Sequence, residues 1–275
     1  MKIVSFNVNS LRQRLHQLQA VIDRHNPEFI GLQETKVQDH DFPIEAVEAM
    51  GYRVVYAGQK THYGVALLSR SPCLNPCYGF PDDAADAQKR FIGGDFEVAG
   101  ERFVVFNGYF PQGESRDHAV KFPAKQRFYA DLIRFLGGYD LRQAKLVVMG
   151  DYNIAPQDID IGIGADNAKR WLKTGKASFL PEEREWFRQL CELGLHDGFR
   201  LCHADEDNLF SWFDYRSRGF EAEPKRGLRI DHLMVSEFLR SSVVDAGVDY
   251  DIRGMQKPSD HAPVWVELNL DGGAA

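Results

Sequence analysis

Strand-like runs alternate with amphipathic helical stretches along this chain, and that alternation narrows its fold class more than any other feature. Strands are predicted over residues 2–8, 29–32, 52–56, 64–69, 91–98, 102–110, 145–149, 230–235, 243–250 and 263–268. Helices are predicted over residues 11–25, 43–50, 122–136 and 181–193. Many strands with interspersed helices favour an α/β domain in which helices cover sheets.

The chain shows no sign of division into several domains. Its 275 residues contain no long linker, no low-complexity run and no repeat at fixed spacing. We therefore predict one domain over residues 1–270 and a disordered tail over residues 271–275. No signal-peptide pattern and no apolar run of roughly 20 residues is present. Without such a run, we predict no membrane partner. Four cysteines lack zinc-site spacing, and we predict that they are reduced thiols in a cytoplasmic protein.

The formal net charge is -7. Taken alone, this argues mildly against a nucleic-acid partner, because phosphate neutralisation favours basic proteins. A local basic patch can nevertheless coexist with an acidic total, and a divalent-cation site itself requires carboxylates. The net charge therefore does not decide the functional class.

Polar side chains cluster where the predicted strands end. The residues at or just beyond strand ends are Asn7, Glu34, Tyr109, Asp151 and Asn153, and those just before the last strand are Asp260 and His261. If the last strand runs antiparallel to the others, all of them lie on one rim of a sheet. Such rims are where α/β proteins commonly bind ligands.

Each of the two carboxylate motifs has a structural and a functional interpretation. Glu34, in GLQETK, is either a solvated carboxylate or a ligand for a hard cation such as Mg²⁺, which proteins hold with one or two carboxylates. Asp151 and Asn153, in VVMGDYNI, form either an ordinary turn or a site. In a site, Asp151 would activate a water molecule and Asn153 would donate to a phosphate oxygen.

The motif PSDHAPVW contains Asp260 and His261 and is either a turn or a second part of the site. A histidine beside a phosphodiester stabilises the charge that develops in the transition state. Asp231 interrupts an otherwise apolar strand, and orienting this imidazole would explain a carboxylate there. Tyr109 is either a core aromatic or a hydroxyl donor directed at the phosphate.

Basic and aromatic residues interleave in three segments, over residues 118–127, 169–176 and 212–229. Each segment alone is typical of a solvated face. Together they are typical of a duplex-binding surface, on which cations contact phosphates and aromatic side chains wedge into the helix.

Ten motifs occur in one order from Ser5 to Trp265, among them SFNVNSLR, GLQETK, NGYFPQGESRDH, VVMGDYNI, SFLPEEREW and KPSDHAPVW. In these motifs the chain resembles the exonuclease III family of the endonuclease/exonuclease/phosphatase superfamily. The resemblance implies a four-layered α/β sandwich, with two mixed β-sheets packed face to face and flanked by helices. It also implies Mg²⁺ dependence, with Mn²⁺ as a substitute.

The resemblance further implies incision of duplex DNA on the 5′ side of abasic sites, removal of blocked 3′ ends and 3′-to-5′ exonuclease activity. We expect a monomer, since such an enzyme must wrap a duplex. The implied catalytic residues are Tyr109, Asp151, Asn153, Asp231, Asp260 and His261. The implied metal-site residues are Glu34, Asn7 and Asp260. The predicted DNA-contacting residues are Gln112, Lys121, Trp212, Arg216, Leu228 and Ile230.

Two residues depart from the family pattern. Asn9 stands where some relatives carry a carboxylate, and His232 follows Asp231 where an apolar residue is expected. Two rival functions also remain at this point. One is a phosphoesterase of the same superfamily acting on phosphoinositides or sphingomyelin, and the other is a DNA-binding member without activity.

Overall fold

The computed structural model describes residues 1–59 and 61–270, so the predicted tail over residues 271–275 lies outside the described residues. The strands are β1 (Lys2–Asn7), β2 (Phe29–Gln33), β3 (Arg53–Ala57), β4 (Val65–Ser69), β5 (Cys77–Tyr78), β6 (Phe91–Val98), β7 (Glu101–Tyr109), β8 (Lys145–Asp151), β9 (Leu195–Asp197), β10 (Asp231–Ser236), β11 (Val243–Val248) and β12 (Val264–Leu268). The helices are α1 (Leu15–His25), α2 (Ile44–Ala49), α3 (Lys121–Leu136), α4 (Ala165–Lys173), α5 (Pro181–Glu192), α6 (Gly198–Cys202) and α7 (Tyr250–Arg253).

The strands form two six-stranded mixed sheets. The first has the order β11-β12-β1-β2-β4-β3, and the second has the order β5-β6-β7-β8-β10-β9. In the first sheet β1 and β2 run parallel, and in the second β7 and β8 run parallel. The strand β12 runs antiparallel to β1, as the prediction of a common rim requires.

The two sheets pack face to face across the largest apolar cluster, which includes Phe29 and Val65 of the first sheet and Phe96 and Val105 of the second. The rings of Phe29 and Phe96 meet edge to face, with centroids 4.9 Å apart. A second cluster joins the outer face of the second sheet to α3 and α5, and a third joins the outer face of the first sheet to α1 and α2. The predicted four-layered sandwich is therefore confirmed.

A buried polar bridge also crosses the gap between the sheets. Asn107, in β7, donates from Nδ2 to the carbonyl oxygens of Leu32 and Ala66 in the first sheet, at 2.9 Å each. Its Oδ1 accepts from Gln33 Nε2 at 2.6 Å. These bonds form only when β7 lies at one position relative to β2 and β4. They therefore help to fix how the end of β7 in the second sheet faces the end of β2 in the first.

Three predicted elements differ from the structure by two or more residues at one end. The helix predicted over residues 11–25 begins only at Leu15, because a 3-10 turn over Leu11–Gln13 precedes it and Arg14 leaves the helical region at φ -122°. The strand predicted over 145–149 continues to Asp151. The strand predicted over 243–250 ends at Val248, since Asp249 accepts from the Ile252 amide and caps α7.

The sequence patterns did not predict the short elements β5, β9, α6 and α7, nor the polar helix α4. None of the helices in the described ranges is long and apolar enough to cross a membrane. All four cysteines are free thiols.

Candidate active site

Sheet register brings the predicted catalytic residues together on one rim. Tyr109 pairs with Asp151 across β7 and β8, and Asp151 pairs with Asp231 across β8 and β10. In the first sheet, Asn7 at the end of β1 pairs with Gln33, the residue before Glu34. Each sheet therefore contributes its own part of the site.

A cavity of about 250 Å³ lies between the two contributions. Its walls include most of the residues predicted for catalysis, metal binding and DNA contact, together with three that were not singled out. The lining residues are Glu34, Tyr109, Gln112, Asp151, Asn153, Trp171, Lys176, Ser178, Trp212, Leu228, Ile230, Asp260 and His261.

Asn7 is a buried link between the two halves of the site. Its Nδ2 donates to Glu34 Oε1 at 2.9 Å and to Asp151 Oδ2 at 3.0 Å. One amide group thus sets the separation of two carboxylates that come from different sheets. Asn7, implied by the resemblance as a metal-site residue, thus also holds the Asp151 carboxylate.

The predicted pairing of Asp231 with His261 is present in the structure. Asp231 Oδ2 lies 2.8 Å from His261 Nδ1, which leaves Nε2 directed toward Asp151 Oδ2 at 3.8 Å. Burial opposes the charged imidazole, but the carboxylates of Asp231 and Asp151 outweigh it and raise the pKa of His261 to about 10. His261 is therefore a proton donor at neutral pH.

Asp151 is buried within a group of other charged residues. Burial raises the pKa of its carboxyl to about 8; His261 opposes this rise, and Asp231 and Glu34 add to it. A general base works best when its pKa lies near the working pH, because part of it is then ionised and the ionised form still binds a proton strongly. The environment of Asp151 suits it to accept a proton from water.

Tyr109 and Asn153 offer hydrogen-bond donors to the same cavity. Burial, with the nearby carboxylates of Glu34 and Asp151, raises the pKa of Tyr109 well above its ordinary value, so its hydroxyl keeps its proton. The side chain of Asn153 donates from Nδ2 to the Phe110 carbonyl at 3.0 Å, and its backbone N–H donates to Asp151 Oδ1 at 3.0 Å. The first bond orients the Asn153 side chain at the cavity wall, and the second ties its backbone to Asp151.

Four residues at this rim have left-handed backbone conformations. Asn9, Glu34, Lys36 and Asn153 all adopt left-handed conformations, with φ of 41°, 51°, 53° and 53°. Such conformations are costly for residues other than glycine and persist where the surrounding structure fixes them, most often at functional sites.

The donor set fits a hard divalent cation. One oxygen of Glu34, one of Asp151 and one ring nitrogen of His261 lie within 4.8 Å of one another. Carboxylate oxygens are the ligands that Mg²⁺ prefers, whereas His261 already uses Nδ1 on Asp231. Glu34 and Asp151 are therefore the better candidates among the three.

Asp260, predicted on the metal side, lies outside that group of three. Its oxygens accept from Asn9 Nδ2 at 2.8 Å and from Trp212 Nε1 at 3.1 Å. Asn9 Oδ1 in turn accepts from Lys36 Nζ at 2.5 Å, and Lys36 lies 2.9 Å from Glu34 Oε2. Asp260 is thus linked to Glu34 through Asn9 and Lys36. Asn9, which departs from the family pattern, is part of this link.

The predicted DNA-contacting residues divide into two groups. Gln112, Trp212, Leu228 and Ile230 line the cavity. Lys121 and Arg216 do not, since both are exposed on the surface outside it, and Lys121 Nζ lies 2.5 Å from Glu114. Their contact with DNA stays a prediction.

His232, the second departure, contacts groups other than Asp231. Its Nε2 donates to the Ile154 carbonyl at 2.9 Å, and its Nδ1 lies 3.1 Å from Arg229 Nη1. Arg229 is itself buried and paired with Asp160 and Asp197, at 2.7 Å each. His232 therefore joins a buried ionic cluster beneath the segment that contains Asn153.

Sequence reasoning missed a second buried support for that segment. Lys125, assigned to a DNA-facing basic stretch, is fully buried in α3 and pairs with Glu183 at 2.6 Å. Lys125 Nζ also donates to the Asn153 carbonyl at 2.8 Å, and Glu183 Oε2 accepts from the Ser178 amide at 2.8 Å. Its helical spacing from Phe122 and Tyr129, both buried, was the available signal.

Replacement of Lys125 by methionine is expected to lower the free energy of unfolding by about 3–5 kcal/mol, because Glu183 would remain as a buried carboxylate without its partner. Urea denaturation measures the change. The double replacement Lys125→Met/Glu183→Gln removes both charges and should recover part of the loss. If Lys125→Met alone has a free energy of unfolding as high as that of the double variant, the buried ion pair does not have this role.

Comparison of this sequence with known proteins identifies its family. The sequence model of the endonuclease/exonuclease/phosphatase family matches residues 4–261. The chain is also 54% identical over 268 residues to the exodeoxyribonuclease III of Haemophilus influenzae, covering 98% of this chain and 100% of that one. This chain belongs to the endonuclease/exonuclease/phosphatase family. The predicted family is thereby confirmed.

Other family members resemble the chain over nearly its whole length. A DNA repair nuclease of Danio rerio is 31% identical to it, covering 98% of this chain and 82% of that protein. The structure of a Neisseria 3′ phosphatase bound to a product DNA hairpin has a TM-score of 0.88 and 39% identity, covering 98% and 99% of the two chains. The structure of an Archaeoglobus fulgidus AP endonuclease also gives 0.88, at 32% identity, covering 98% and 100%.

Proposed function

We propose that this family member is a DNA-repair nuclease of the exonuclease III type, which hydrolyses DNA phosphodiesters. The observation that carries the proposal is the convergence of Asp151, His261 and Glu34 at a cavity that Trp212 and Leu228 also line. The first three suit a phosphodiester, and the last two suit a sugar without a base. Nucleases are also what the similar proteins are named.

The finer proposal is incision on the 5′ side of an abasic site in duplex DNA, together with removal of blocked 3′ ends and 3′-to-5′ exonuclease activity. The apolar side chains of Trp212, Leu228 and Ile230 offer a wall that a deoxyribose can pack against. Gln112 and the interleaved basic segments would hold the flanking strands.

The chain's own residues account for the proton transfers and for binding of the phosphate. Asp151, held by Asn7, accepts a proton from water while the water oxygen attacks phosphorus in line. The bond to the 3′ oxygen breaks, and this oxygen takes up a proton from solvent to leave as a hydroxyl. His261, charged and oriented by Asp231, donates from Nε2 to the phosphate. Tyr109 and Asn153 would donate to the remaining phosphate oxygens.

Glu34 and Asp151 would hold the cation, which we propose to be Mg²⁺, with Mn²⁺ as a substitute. When bound, the cation offsets negative charge on the phosphate and on the leaving oxygen. Asn7 and the Asp260–Asn9–Lys36 chain position the Glu34 carboxylate. Asp260 thus acts on the metal side through other residues. Burial alone would raise the pKa of its carboxyl, but His261 and the bonds from Asn9 and Trp212 hold that pKa below the ordinary value.

The two rival functions are less well supported. A phosphoinositide or sphingomyelin phosphoesterase would not need an interleaved basic and aromatic surface, and the similar proteins reported above carry nuclease or phosphatase names connected with DNA. An inactive member would show a damaged acid set, whereas Asp151, Asp231 and His261 form a connected network. We further propose one domain over residues 1–270, a monomeric state and a cytoplasmic location.

A duplex with a single stable abasic analogue tests the proposal. Purified protein with Mg²⁺ is expected to cut once, on the 5′ side of the analogue, and EDTA should abolish the cut. Binding without cutting in Mg²⁺ or Mn²⁺ would favour the inactive alternative. If the protein neither binds nor cuts, lipid and inositol phosphates become the substrates to assay.

A further inference from the structure

The cavity of about 250 Å³ described above is called here the active cavity. It adjoins a second cavity of about 140 Å³, called here the side cavity. The two cavities share Trp171, Lys176 and Trp212 as lining residues. The rest of the side cavity comes from α4 and from the loop after Trp212. Those remaining lining residues are Ile163, Asn167, Arg170, Asp214, Ser217 and Arg226.

The walls of the side cavity combine aromatic, cationic and neutral polar groups. Trp171 is braced by a parallel stack on Phe179, with interplanar angle 6°, and Lys176 Nζ lies 3.7 Å from the centre of its ring. Arg226 Nη2 donates to the Ile163 carbonyl at 3.0 Å, and Arg170 Nη2 donates to Asn167 at 2.8 Å. Both guanidinium groups are thus anchored at the cavity wall.

Such a lining suits a nucleobase attached to a phosphate. Planar side chains provide stacking surfaces, and amide, hydroxyl and carboxylate groups can bond to the edge of a base. The net positive character comes from Arg170, Lys176 and Arg226 against the single carboxylate of Asp214. A purely apolar sugar pocket would need none of these groups.

The two proposed reactions place different demands on the site. In both, the scissile phosphate must reach Asp151 and His261, so the sugar on its 3′ side occupies the active cavity. An abasic residue ends at that sugar, whereas a 3′-terminal nucleotide also brings a base. Because the phosphate position is fixed by the catalytic residues, the base must extend beyond the sugar, and the side cavity adjoins that space.

We propose that the side cavity receives the base of the 3′-terminal nucleotide during exonucleolytic cleavage and stays unused during abasic-site incision. The inference rests on the proposed nuclease function and assigns it a substrate subsite. It makes α4 and the loop over residues 213–226 the elements that set the ratio of the two activities.

Ser217→Trp, which fills the side cavity from an exposed position, separates the two activities. We expect it to slow nucleotide release from a recessed 3′ end at least about tenfold, because the base loses its stacking site. Incision at an abasic analogue should change less than about twofold, since that reaction does not use the space. The matched control Ser241→Trp places the same ring at an exposed position outside both cavities and should retain both rates.

An equal effect on both rates, or no effect on either, would overturn the proposal. A competition test with the unaltered protein guards against a misfolded variant. There dAMP should inhibit abasic incision more strongly than deoxyribose 5-phosphate does, and equal inhibition would also overturn the proposal. If the unaltered protein incises the analogue but releases no nucleotide, the side-cavity proposal fails and abasic incision stands. If it does neither, the proposed function fails.

Discussion

Asp151→Asn is expected to bind abasic duplex normally but to cut it about 10²- to 10⁴-fold more slowly, the contribution of a positioned general base. The asparagine keeps an oxygen for the bond from Asn7 Nδ2, so the neighbouring geometry should persist. Burial raises the pKa of Asp151, which means that its ionised form is unfavourable in the folded protein. The substitution should therefore cost no stability. Single-turnover kinetics and a binding titration measure the two effects separately.

The matched control for this variant is Asp205→Asn, which neutralises an exposed carboxylate outside the cavity. It should cut at the normal rate. An Asp151→Asn protein that folds and retains nearly full turnover would remove Asp151 from the role of base. A loss of DNA binding in parallel with cutting would instead assign Asp151 to substrate or cation binding alone.

Glu34→Gln is expected to raise the Mg²⁺ concentration needed for half-maximal cutting by more than about 100-fold, since losing even an outer-shell partner costs 10–100-fold in metal affinity. The glutamine can still accept from Asn7, but it loses the charge that faces Lys36 and the cation. A Mg²⁺ titration of the cutting rate, supplemented by Mn²⁺, measures the shift.

Saturating metal distinguishes this variant from Asp151→Asn. Excess Mg²⁺ should restore part of the activity of Glu34→Gln, which lacks only a ligand. It should leave Asp151→Asn slow, because that variant lacks the base as well as a ligand. Glu45→Gln, at an exposed position in α2, is the control and should keep the normal metal requirement. An unchanged requirement in Glu34→Gln would exclude Glu34 as a principal ligand.

The strand ends made much of the site predictable from sequence. Apolar runs that stop at Asn7, Glu34 and Asp151 are local patterns, and sheet geometry brings such positions to one edge. The link between Asp231 and His261 was predictable because a carboxylate on an apolar strand requires a partner. These inferences needed only the direction of the strands.

What the sequence did not reveal depends on contacts between distant segments. Lys125 lies in a basic stretch, so its charge suggested a surface position, although its partner Glu183 lies 58 residues further along the chain. The chain from Asp260 through Asn9 to Lys36 joins residues up to 251 positions apart. The side cavity likewise depends on the packing of α4 against the loop after Trp212, which no periodicity encodes.

The path of the chain through the two sheets sets the order in which the site can be completed during synthesis. The chain builds β1 to β4 in one sheet, crosses to make β5 to β10 in the other, and returns for β11 and β12. Since β12 inserts between β1 and β11, the turn that presents His261 is synthesised after every strand of the two sheets except β12. A nascent chain that already displays Glu34 and Asp151 therefore still lacks the imidazole of His261, so the proposed site stays incomplete until the chain has returned to the first sheet.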